Sequence, residues 1–127
     1  MILKESDFDE KSLIVVVNKY WDPSRGIPSL EDCARGYWRV GRNGMAYQCR
    51  WLLASYHGEV VGVWEIAGGW LPWPQRKKST WPDDRPKTDL RRACDLVEAP
   101  TDIKARYLHE STSGLIRPRA WGRYVGF

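Results

Sequence analysis

The chain has 127 residues, 43% of them hydrophobic, which fits one domain with a single core and excludes wholesale disorder. Its formal charge is +4, and all of the excess falls in residues 47–127, since residues 1–46 balance seven basic against seven acidic side chains. A basic half suits a polyanion such as DNA or RNA, and no apolar run is long enough for a signal peptide or a membrane span.

Residues 1–12 read as a polar lead-in, frayed or loosely helical. LIVVVNKYW (13–21) predicts a strand buried on both faces, and DPSRGIPS (22–29) a loop. Ser29 with Asp32 forms a capping box that opens a helix. Leu30, Cys33, Ala34, Tyr37 and Trp38 then fall on one helical stripe, and GRNG (41–44) stops it.

YQCRWLLASYHGEVVGVWEI (47–66) predicts a β-hairpin turning at His57-Gly58. Counting outward from that turn sets Tyr56 opposite Glu59, Ser55 opposite Val60, Ala54 opposite Val61 and Leu53 opposite Gly62. Leu52 then faces Val63, Trp51 faces Trp64, and Arg50 faces Glu65. Residues 67–90 show no period and hold four prolines, so they read as one long loop carrying Trp70, Trp73 and Trp81 beside Arg76, Lys77 and Lys78. RRACDLVEA (91–99) predicts a strand. Pro100-Thr101-Asp102 starts a short helix with Ile103, Tyr107 and Leu108 facing inward, and WGRYVGF (121–127) predicts a closing strand. The whole reads as a single domain, 1–127, without internal repeats.

Cys33, Cys49 and Cys94 are scattered, with no CxxC and no histidine at ligand spacing. They predict reduced, core-filling thiols in a cytoplasmic protein, and no metal site. There is no GxSxG, no phosphate loop, and no Ser or Cys partner for His57 or His109, so no catalytic residue and no cofactor is assigned. The aromatic and basic set remains: eight Trp and six Tyr against two Phe. A Trp left wet forgoes about 4–6 kcal/mol of burial, while a stacked base returns about 1–3 kcal/mol. A loop Trp therefore either folds into the core or needs support, such as Pro72 and Pro74 give Trp73.

Four stretches carry a resemblance: ARGYWR (34–39), LLASYHGEVVGVWEI (52–66), RRACDLVEAP (91–100) with ARYL (105–108), and RYV (123–125). Together they resemble PUA-like domains, the superfamily that includes ASCH, EVE and YTH domains and small barrels of bacterial restriction systems. The resemblance spans Ile14 to Val125. It implies an α+β fold, a small mixed β-barrel with two or three short flanking helices, in a bacterial or phage defence setting. It also implies a pocket that takes a flipped, often modified base between aromatic walls. By position, Asn18, Lys19, Trp38 and Trp70 or Trp73 would bind the base, with Arg123 near the closing strand a further candidate. Basic side chains at the mouth, Arg76, Lys77 and Lys78 among the loop tryptophans together with Arg123, would hold the phosphates. Where those domains carry an Asn-Pro before the closing strand, this chain has Arg117-Pro118. The expected partner is DNA or RNA. The alternatives are a small ASCH-like RNA or nucleoside hydrolase, and a protein-interaction module that docks a protein partner through the Trp/Pro loop.

Overall fold

The computed structural model describes residues 1–26, 28–41, 44–72 and 91–127. Strand β1 (Ser12–Val16) is an inner strand of the sheet, and its aliphatic run is buried on both faces. Helix α1 (Leu30–Arg35) and strand β2 (Gly36–Trp38) follow, then the hairpin of β3 (Trp51–Tyr56) and β4 (Glu59–Pro72). Strand β5 (Arg92–Glu98), helix α2 (Thr101–Tyr107) and strand β6 (Gly122–Val125) complete the chain order. The six strands, counting the three-residue β2, make one mixed sheet in the order β2-β5-β4-β3-β1-β6. β1 runs parallel to β3 and antiparallel to β6; the other neighbours are antiparallel. No helix among the described residues is long and apolar enough to cross a membrane.

Alternation along β1 divides the apolar residues between two cores. Leu13, Val15 and Val17 face α1, together with Cys33, Leu52 and Trp70. Ile14 faces the other way, toward Trp51, Leu53, Val63 and Tyr107 of α2. The 91–99 strand, the second helix and the closing strand form as expected, and the strand buried on both faces forms but ends at Val16, with residues 18–20 in a turn rather than in the strand predicted over 13–21. All three cysteines are free and buried.

Several expectations are corrected. The lead-in is part of the fold: after a 3-10 turn at Glu5–Asp7, Phe8 stacks on Tyr107 at 4.7 Å, and Leu3 is fully buried. The helix begins at Ser29, whose side chain accepts the Asp32 N–H, but it ends at Arg35. An extended Gly36 turns the chain into β2, so Trp38 sits on a strand that pairs with β5. Its indole N–H reaches back to the Ala34 carbonyl at 2.7 Å, satisfying one of the helix's last acceptors.

The hairpin turn is as predicted, with His57 at φ 48° and Gly58 at φ 84°. The register holds for Tyr56–Glu59 and Ser55–Val60, then slips by one at a bulge, where Ala54 pairs with Gly62. Trp51 therefore faces Glu65, and Trp64 faces Leu52, on opposite sides of the sheet. The bulge lets Val60 and Val63, three apart, enter one core. Beyond it the Trp64 ring lies over Gly62, where a Cβ would come within 2.3 Å of it.

Residues 67–72 belong to β4 rather than to a loop. Trp70 is 2% exposed, and its indole N–H donates to Ala46 O at 3.1 Å. The sheet is not closed into a barrel, because β2 and β6 lie at its two ends and do not pair with each other.

Candidate functional site

β1 and β3 are parallel neighbours, so their C-terminal ends open at the same side of the sheet. A cavity of about 770 Å³ lies there, within the usual range for a small-ligand site. Its far wall is the segment 112–121, which runs between α2 and β6. That segment is held at both ends: Thr112 N–H bonds Gly58 O at 2.9 Å, and Trp121 O accepts Val16 N–H at 2.8 Å. Gly122 then approaches β1 so closely that a Cβ would lie 2.3 Å from Ile14 O.

Three aromatic rings among the described residues line the cavity. Trp38, 4% exposed, stacks on Trp121, 40% exposed, with centroids 5.7 Å apart and planes at 24°. Tyr20, 37% exposed, meets Trp38 edge-on at 6.0 Å. Trp38 is thus a supported wall, and Trp121 is the ring with a wet face.

Among the described residues the charged lining is basic, Lys19, Arg39, Arg91, Arg117 and Arg119, with no carboxylate. Elsewhere arginines are matched with acids, Arg50 with Glu10 and Glu65 and Arg106 with Asp9. Lys19, Arg39, Arg117 and Arg119 make no ion pair among the described residues. Arg119 also adopts a left-handed backbone, φ 67°, which an arginine occupies only where its surroundings hold it.

Uncharged polar groups complete the lining. The buried hydroxyls of Ser55 and Thr112 bond each other at 2.8 Å. Asn18 Oδ1 accepts the His57 backbone N–H at 2.8 Å, which ties the end of β1 to the hairpin turn. Its NH2 has no partner among the described residues.

Of the residues expected from sequence, Asn18, Lys19 and Trp38 come together in this cavity. Trp70 does not line it and is sealed in the core beneath α1. Arg123 is engaged elsewhere, donating to Glu5 at 3.0 Å and to the Leu115 carbonyl at 3.2 Å. Trp73, Arg76, Lys77 and Lys78 lie outside the described residues. Sequence reasoning missed Trp121, Arg117 and Arg119, although RPRAWGR (117–123) interleaves arginine with tryptophan as the 67–90 stretch does. No group of three or more His, Cys, Asp or Glu among the described residues could hold a metal ion. No family model matches the chain, and neither does any curated protein or solved structure.

Proposed function

We propose that the chain is a PUA-like nucleic-acid-binding domain that seats one unstacked base, flipped or modified, in the cavity between Tyr20 and the Trp38–Trp121 pair. One observation carries this reading: a cavity walled by aromatic rings is bordered, among the described residues, by five basic side chains and no acid. Rings supply stacking that any base can use, and basic groups at the mouth attract the phosphates on either side. A hydrolase would need a general base. Among the described residues no carboxylate, histidine or cysteine lines the cavity, and the basic groups that do line it suit phosphates, which favours the binding reading over the enzymatic one. Free thiols support a cytoplasmic setting.

Titration of short single-stranded DNA and RNA, with and without modified bases, while following tryptophan emission at two salt concentrations, tests the proposal. Saturable quenching that weakens with salt supports it. No change with any oligonucleotide overturns it.

A further inference from the structure

We infer that the cavity selects a base with a keto edge over one with an amino edge, and that Asn18 is the specificity-determining residue; this rests on the nucleic-acid reading above. Asn18 can face its amide only one way. Its Oδ1 accepts the His57 N–H at 2.8 Å, and turning the amide over would set its NH2 against that N–H, donor against donor. The N–H is itself fixed, because His57 and Gly58 form the left-handed turn of the β3–β4 hairpin and Gly58 O is bonded by Thr112 N–H. The Asn18 NH2 is therefore the group left to meet a ligand as a donor, while its Oδ1 is engaged at the hairpin turn.

The charged groups around it have the same polarity. Lysine and arginine donate and cannot accept, and among the described residues no carboxylate stands with them. The Ser55 and Thr112 hydroxyls can act in either sense, so they satisfy a ligand without discriminating.

A base carrying a carbonyl, O4 of uracil or thymine or O6 of guanine or hypoxanthine, brings an acceptor to this set of donors. The N6 amino group of adenine or the N4 amino group of cytosine brings N–H to N–H, and leaves the Asn18 donor desolvated without a partner.

The test uses single-stranded oligonucleotides identical except at one central position, hypoxanthine against adenine and uracil against cytosine, titrated into the full chain. The keto member of each pair binds about tenfold tighter. Asn18→Asp keeps an oxygen for the His57 N–H and replaces the NH2 with an acceptor. Its charge weakens binding of every oligonucleotide, but the keto-to-amino ratio falls to one or below. A merely structural role for Asn18 would leave that ratio unmoved. Equal binding of both members by the unsubstituted chain, or an unchanged ratio in a folded Asn18→Asp, overturns keto selection and leaves nucleic-acid binding standing. Failure of all four oligonucleotides to bind overturns both.

Discussion

Trp38 and Trp121 join, ring on ring at 5.7 Å, the two ends of a sheet that backbone hydrogen bonds leave apart. Trp38 belongs to β2 at one edge, and Trp121 immediately precedes β6 at the other. The two indoles do different work. Trp38 is nearly sealed and bonded to Ala34, whereas Trp121 keeps a solvent-facing side.

Trp38→Ala is expected to cost about 3–5 kcal/mol of stability, as large-to-small changes of buried aromatics do. Trp121→Ala is expected to leave the melting transition close to that of the parent chain, yet to lose about 1–3 kcal/mol of oligonucleotide affinity with the stacking face. Denaturant melts and fluorescence titrations of the two variants separate these outcomes.

The unpaired basic residues give the second prediction. Each phosphate contact removed from a single-stranded ligand lowers the slope of log K against log[salt] by about 0.7. Arg117→Gln is expected to do this, and so is Arg119→Gly. The glycine also suits φ 67°, so that variant should melt no lower than the parent. Arg106→Gln, which loses an ion pair with Asp9 away from the cavity, should leave the slope unchanged.

Gly122→Ala is expected to destabilise the fold. The added Cβ would lie 2.3 Å from Ile14 O, a backbone atom of β1 that cannot swing aside because the strand is paired on both edges. Separating β6 from β1 also shifts Trp121, so a lower melting temperature should come with weaker oligonucleotide binding.

Alkaline pH gives the fourth. Burial pushes the Cys49 thiol up from 9.0 to about 12, and burial likewise raises the Tyr124 hydroxyl above its usual 10.0. Both groups keep their protons longer in the folded chain than in the unfolded one. The stability they contribute is therefore whole below pH 9 and drains away as pH rises toward about 12. Denaturant melts from pH 7 to 11 should be flat at first and then fall, with a smaller fall in Cys49→Ala. At pH 8 the folded chain should react with a thiol reagent only as fast as it opens.

Periodicity was legible wherever local chemistry was sufficient to decide it. The aliphatic run of β1, the Ser29 cap and the His57-Gly58 turn each act within a few residues, and each was readable from sequence. The Val61 bulge was less so: its one signal is that Val60 and Val63 lie three apart in a strand whose faces alternate every two. Trp38 was misplaced onto the helix because its spacing fits a helical stripe; what removes it is pairing with Arg92, 54 positions later. Trp70 shows the same limit, since its partner Ala46 lies 24 positions earlier. In the cavity, Asn18, Lys19 and Trp38 were expected from the PUA-like resemblance, which placed them after the first strand and on the first helix. Trp121 and Arg119 were not, because their roles depend on where the 112–121 segment crosses the ends of β1 and β3.

That crossing bears on how the protein comes into being on the ribosome. β1 emerges early, but its neighbour β6 and the whole 112–121 wall are translated after every other part of the cavity. The nascent chain can pair β1 with β3 and bury much of its first core while one edge of β1 is still bare. The cavity is thus completed only once residues 112–122 have been made, when Gly122 docks against Ile14 and brings Trp121 over Trp38. A ribosome stalled before residue 112 would display most of the sheet and a cavity that lacks its far wall.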